Sequence, residues 1–163
     1  MSTTKPSHEH RFDCRLVWTG ARHGGTTGYE SYSREYRVDI PGKVSIRGTA
    51  AAAFRGDPAL PNPEDLLVAA LSACHFLSYV AYCARDGVNV IAYEDDASGI
   101  MERVDRVTRF TDVLLKPRVT VAPGSDVEKA RALHEKAHHA CFIANSVNFP
   151  VRNEPEILVA ATA

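Results

Sequence analysis

The sequence predicts an α+β fold, antiparallel sheets packed around one long buried helix, and three observations carry that expectation. The stretch 62–87 is marked as a helix at both ends and is apolar nearly all the way round. Several shorter stretches repeat their apolar residues with the two-residue period of a strand. A second helical stretch, 126–141, repeats its apolar residues at three- and four-residue intervals. In chain order the elements read β-β-β-α-β-β-α-β.

Residues 1–10 are polar and read as a flexible N-terminal tail. In RFDCRLVWTG the residues Phe12, Cys14, Leu16 and Trp18 fall on alternate positions, which predicts a half-buried strand. The glycines and threonines of ARHGGTTG interrupt the pattern. Tyr32, Tyr36, Val38 and Ile40 resume it as a second strand. Pro41 and Gly42 turn the chain into a short third strand, KVSIRG, and the alanine-rich GTAAAAFRGDPALP reads as a loop carrying Arg55.

The central helix begins at Asn62, a good N-cap, with Pro63 suited to the first helical position. Glu64 and Asp65 place negative charge where the helix dipole favours it, and Gly87 supplies the stop. About 24 helical residues span about 36 Å, more than a small domain buries in one straight piece, so a break or a partner subunit is expected. Beyond it, VNVIAYEDDASGIMERV and RVTRFTDVLLKPRVTV read as two strands of a hairpin. Val113, Leu115, Val119 and Val121 are their apolar members, and Pro117 marks an edge or a bulge. In DVEKARALHEKAHHAC, Val127, Ala130, Leu133, Ala137 and Cys141 share one helical face, and PEILVAATA reads as the last strand. No repeat and no clear linker divides the chain, so residues 1–163 read as one domain.

With 163 residues, 45% of them apolar, there is material for a sizeable core. A net charge of −1 argues against binding to nucleic acid or to an anionic membrane surface. The N-terminus lacks the apolar core of a signal peptide and the chain reads as free of a membrane span, so a cytoplasmic setting is expected. Four cysteines are too few for a disulfide scaffold; in a reducing compartment they are buried or reactive. Cys74 lies in the middle of the long helix and Cys141 ends the second one, so these two could meet. Cys83, turned through about 900° from Cys74, faces away from it. Cys83 and the strand residue Cys14 read as structural thiols.

Three blocks of residues point further. Asn62, Pro63, Glu64, Leu66, Ala73 and Cys74 form N-P-E-x-L, six residues, then A-C; Ala137, His138 and Cys141 form A-H-x-x-C; and WTG…GYESYS…Y lies near the N-terminus. Together they resemble the OsmC/Ohr family of organic hydroperoxide reductases, in its OsmC-like branch, over nearly the whole chain. The resemblance implies a peroxidatic Cys74, a resolving Cys141, and a site completed by Glu64 and an arginine. That arginine is Arg55 by the OsmC branch, or Arg22 by the Ohr branch. It also implies an intertwined homodimer with the site near its interface, no cofactor and no metal. The implied reductant is an external dithiol such as a lipoyl-bearing protein or dihydrolipoamide.

The chemistry accords with the likeness. A thiol attacks an O–O bond only as thiolate, so Cys74 needs a nearby cation, which Glu64 could orient. Along a straight helix, however, Glu64 stands about 15 Å from Cys74, which again calls for a break or a second subunit. A Cys74 sulfenic acid would condense with Cys141 once their α-carbons came within about 4.4–6.8 Å. Phe76, Leu77, Phe142 and Phe149, with Tyr79 and Ile143, suit the organic tail of a hydroperoxide, or simply fill a core. His75 reads as a hydrogen-bonded structural histidine or as a proton shuttle.

Two other readings compete. His134, Glu135 and His138 spell H-E-x-x-H, the helical zinc signature, which would make the chain a zinc hydrolase; a Cys/His site joining Cys74, His75, His138 and Cys141 is a variant of that idea. Alternatively, an apolar dimer cleft could bind a lipid-like ligand without catalysis.

Overall fold

The computed structural model describes residues 9–161; the expected tail falls largely in residues 1–8, outside them. The chain divides into two compact units, Met1–Glu64 and Asp65–Ala163. The α+β class and the order of the two helices are as expected from the sequence, but among the described residues the strands number nine.

The first unit is a three-stranded antiparallel sheet in the order β1-β2-β3, made of β1 (Arg15–Trp18), β2 (Tyr36–Asp39) and β3 (Ile46–Gly48). β1 is shorter than its alternating pattern suggested. Phe12 is 90% exposed and Leu16, Val44 and Cys14 are also exposed, so Cys14 is no core thiol. The Trp18 indole donates to the Ser33 carbonyl at 2.7 Å and meets Tyr32 edge-on, while the Arg34 guanidinium lies over the rings of Tyr29 and Tyr32. These contacts order the glycine-rich connection. The alanine-rich stretch makes a 3-10 turn, Ala52–Phe54, capped by Arg55 in the left-handed region at φ 66°. Gly56 follows because a Cβ there would collide with the Ala50 carbonyl.

α1 (Pro63–Arg85) is one unbroken α-helix, so the expected break is absent. Nor is it buried all round. Leu71, His75, Tyr79 and Cys83, each four residues after the last, form a single buried seam, and Leu77 on another face is 62% exposed. A single chain fully buries only one stripe of this helix, while Leu67, Val68, Val80 and Tyr82 are partly covered. Leu66 to Ala84 contains no Asp, Glu, Lys or Arg, and α1 is long and apolar enough, by length and composition, to cross a membrane, contrary to the sequence reading. In this fold its seam supplies core side chains to both apolar clusters of the second unit.

The two strands expected after α1 are four. β4 (Val90–Asp95) and β5 (Ser98–Val104) come from the first stretch, and β6 (Val107–Leu115) and β7 (Pro117–Val121) from the second. Only β5 and β6 form a hairpin; β4 pairs with β7. Pro117 heads a central strand instead of marking an edge, and it begins β7 where the missing N–H is tolerated. Asp95 closes the other side of the break by accepting the Lys116 N–H at 2.7 Å.

After α2 (Val127–Ala140) the chain adds β8 (Val151–Asn153) and β9 (Glu156–Val159), the first of which the sequence did not suggest. β8 runs parallel to β6 and β9 parallel to β7, so these sheets, β5-β6-β8 and β4-β7-β9, are mixed and not antiparallel throughout. Val113, Leu115, Val119 and Val121 are fully buried as expected. One cluster joins Tyr79, Cys83, Val119, Val121 and Leu133; the other joins Leu71, Val113, Leu115 and Val151.

Candidate functional site

Two consecutive residues of α1, Cys74 and His75, each meet a residue of α2 or of its cap. α2 starts at Asp126, whose carboxylate accepts the Lys129 N–H at 2.9 Å, and its buried arc is Ala130, Leu133, His134 and Ala137. It stops at Cys141, which leaves the helical conformation as its C-cap. The last carbonyls of the helix would otherwise lack donors. The Asn145 side-chain amide donates to the carbonyls of His139 (2.9 Å) and Cys141 (3.0 Å), and the Ser146 hydroxyl to that of Phe142 (2.7 Å). The cap is thereby fixed, with Cys141 buried and its Sγ accepting the Ala144 N–H at 3.5 Å.

The Cys141 thiol is hydrogen-bonded to Cys74, and neither sulfur is in a disulfide. Burial, and then the bond to Cys74, push the Cys141 thiol up to about 11, against the opposing pull of the Ala144 and Ile143 N–H groups. Near neutral pH Cys141 therefore keeps its proton, beside a Cys74 residue that is partly open to solvent. A proton-bearing thiol beside a second, more accessible sulfur is the arrangement a two-thiol redox centre requires. Cys83 is buried beside Tyr79, and burial pushes its thiol up, which accords with the structural role expected of it.

Next to this pair, His75 Nε2 lies 2.9 Å from His134 Nδ1, the two rings within 13° of parallel. Each histidine is 1% exposed. Burial is the main cause of lowered basicity in both, holding His75 at about 4 and His134 at about 3. Asp95 pulls His75 back up, whereas His138 pushes it down; His75 and Arg131 push His134 down. Both rings are thus neutral, and one donates to the other. Whichever does, His75 Nδ1 and His134 Nε2 remain buried without partners. Tyr79 completes the stack, its ring 3.8 Å from that of His134 and its hydroxyl donating to the Ala130 carbonyl at 3.1 Å. The Ser72 hydroxyl donates to Asp95 at 2.5 Å on the same stretch of α1.

The OsmC-like protein family matches residues 56–156, well over half of the sequence and inclusive of both cysteines. The chain belongs to the OsmC-like family. An OsmC-like protein of unknown function from Vibrio cholerae is 30% identical, with a TM-score of 0.82 over 90% of this chain and 99% of its own. The uncharacterized protein YmaD of Bacillus subtilis is 23% identical over 93% of this chain and 95% of its own length. An organic hydroperoxide resistance protein from Legionella pneumophila, 17% identical, shares the fold with a TM-score of 0.64 over 93% of this chain and 100% of its own.

In this OsmC-like chain the remaining residues expected at the site are placed as follows. Arg55 makes an ion pair with Glu30 at 3.0 Å, and Arg22 lies 3.7 Å from Glu35. Within the single chain Arg55, in the left-handed region, reaches Glu30, and Glu64 Oε2 is buried without a hydrogen-bond partner. Phe76 packs on Tyr93 with ring centroids 4.8 Å apart. Phe149 is partly buried and packs on Phe110 against the second core cluster, while Leu77 and Phe142 (81% exposed) are open.

The zinc reading fails on geometry. His134 turns inward onto His75, whereas Glu135 lies on the exposed face of α2 and meets His139 at 3.0 Å. The two halves of H-E-x-x-H thus point to different surroundings. Among the described residues no three His, Cys, Asp or Glu side chains gather as a metal-binding group, the Cys74, His75, His138 and Cys141 set included. The His75–His134 contact went unread in the sequence. Its signal was there: 130, 133, 134 and 137 follow the spacing of one buried arc, and 71, 75, 79 and 83 that of another.

Proposed function

We propose that this chain is a thiol-dependent peroxidase that reduces organic hydroperoxides to alcohols. The observation that carries the reading is the hydrogen bond between the Cys141 thiol and Cys74, two residues 67 positions apart that are both unbridged. Cys74 as thiolate attacks the hydroperoxide, taking one oxygen to become a sulfenic acid while the alkoxide leaves and is protonated to the alcohol. The Cys141 thiol then displaces that oxygen as water and forms the Cys74–Cys141 disulfide. An external dithiol, of the lipoyl kind by family likeness, takes the oxidation in turn and restores both thiols. Solved structures with this fold include organic hydroperoxide resistance proteins from Legionella pneumophila, Elizabethkingia anophelis and Bacillus subtilis.

Glu64 and an arginine, Arg55 or Arg22, belong to this proposal through the family resemblance. A homodimer belongs to it as well. α1 is unbroken, much of it is only partly buried with Leu77 exposed, and Glu64 keeps a buried oxygen without a partner, which a guanidinium from a second copy would satisfy. Phe76, Leu77, Phe142 and Phe149 are assigned to the organic tail of the substrate, and a cytoplasmic setting suits a centre that must be re-reduced.

The test is consumption of cumene hydroperoxide with dihydrolipoamide. Cys74→Ser is expected to lower kcat/KM at least about a thousandfold. Cys141→Ser should stop after one oxidation, leaving a Cys74 sulfenic acid that dimedone traps. Undiminished turnover in Cys74→Ser refutes the proposal.

A further inference from the structure

We propose that the His75–His134 hydrogen bond is a positioning contact for the redox pair, fixing the register of α1 against α2 so that Cys74 and Cys141 stay within reach. This inference rests on the reading of those two cysteines as a dithiol–disulfide couple.

Both cross-helix contacts arise from the same stretches of backbone. Cys74 and His75 are neighbours on α1. His134 precedes Cys141 by seven residues, about two helical turns, so it projects from nearly the same side of α2. Tyr79, one turn beyond His75, adds the Ala130 carbonyl as a third tie, one turn before His134. The contacts 74 to 141, 75 to 134 and 79 to 130 thus form a ladder between two antiparallel segments.

The middle rung is an unusual way to fill that volume. An apolar pair of similar size would leave no orphan nitrogens, whereas the imidazoles leave two buried and unpartnered. What the polar pair adds is direction. A 2.9 Å bond between two ring nitrogens exists in one axial register only, while apolar side chains tolerate sliding. Sliding by even a fraction of a helical rise would separate the sulfurs, which must close to bonding distance on oxidation.

The measurable quantity is the equilibrium in which the Cys74–Cys141 dithiol gives two electrons and two protons to oxidised dithiothreitol, forming the disulfide and reduced dithiothreitol. The full chain is equilibrated in dithiothreitol redox buffers at pH 7.5, alkylated, and its Cys74–Cys141 bond quantified by peptide mass. His75→Gln keeps an amide nitrogen near the place of Nε2, while His75→Asn withdraws it by one methylene. Reciprocally, His134→Asn imitates Nδ1 and His134→Gln overshoots it. Both members of each pair are polar, and the reciprocal pair serves if one variant fails to fold.

The reach-preserving variants, His75→Gln and His134→Asn, should stay within about threefold of the parent constant. Their partners should lose at least tenfold in disulfide formation, a rise of about 30 mV in reduction potential. A difference of less than threefold within each pair, in folded variants, overturns the positioning role while leaving the peroxidase reading intact. If the parent chain forms no Cys74–Cys141 bond in any buffer, both fall.

Discussion

Acidification from pH 7.5 to pH 5 should cost this fold about 4 kcal/mol through His75 and His134 alone. In the unfolded chain each imidazole takes a proton near pH 6.5. In the fold burial holds them at about 4 and about 3, so both stay neutral at pH 5. Because the folded values lie below the unfolded one, the unfolded chain binds more protons across the interval between them. The contribution to stability is therefore complete above about pH 6.5 and declines as pH falls toward the folded values. One and a half pH units below 6.5 correspond to about 2 kcal/mol for each group, doubled for two. That is a large part of the 5–15 kcal/mol that typically holds a domain together. The groups facing the pair are Asp95 from β4, which opposes the shift of His75, and His138 and Arg131 from α2, which reinforce it. Urea titrations at the two pH values, on the parent chain and on the double variant His75→Gln with His134→Asn, isolate the term, since every other titrating group is common to both. The parent should lose about 4 kcal/mol more than the double variant between the two pH values. Equal losses would refute the claim that these imidazoles are held neutral by the fold.

Three further outcomes can be checked by the same unfolding measurement. Tyr79→Phe removes the hydroxyl that reaches the Ala130 carbonyl and should cost about 1 kcal/mol. Asp126→Ala removes the side-chain acceptor of the Lys129 N–H and should cost about 1 kcal/mol, chiefly by fraying the first turn of α2. Arg55→Gly relieves a left-handed non-glycine residue and gives up only an exposed ion pair with Glu30, so stability should hold or rise by up to about 1 kcal/mol. If Arg55 is the arginine of the site, the same variant loses peroxide turnover in the cumene hydroperoxide assay while staying folded.

Local signals in the sequence were strong where one residue sets the geometry. Pro63 opens α1, Gly87 follows its end, and Asp126 caps α2, so both helices were legible, as was a cysteine within α1 and another at the end of α2. The middle strands were misjudged because their breaks are short. Asp96 and Ala97 separate β4 from β5, and Lys116 alone separates β6 from β7, too little polar punctuation to end an apolar pattern. β8 and the parallel pairing of both β8 and β9 were invisible, because a parallel pairing has no tight turn to announce it, although β9 itself was legible as a strand. Phe12 and Leu16 do alternate, yet alternation reports which face is apolar and not whether one chain suffices to cover it. The histidine pair was hidden by chemistry, since a buried imidazole looks like a surface residue or a metal ligand until its partner, 59 positions away, is known.

The parallel additions of β8 and β9 bear on how the protein is made. Val113 waits for Val151, and Arg118 for Glu156, so β6 and β7 each have one flank unpaired until residues 151–159 have been made. Contacts of such long range form slowly, and bare strand flanks in the interim invite pairing with other nascent chains. Yield during synthesis should therefore be governed less by the helices than by residues 151–159, whose arrival seals both sheets.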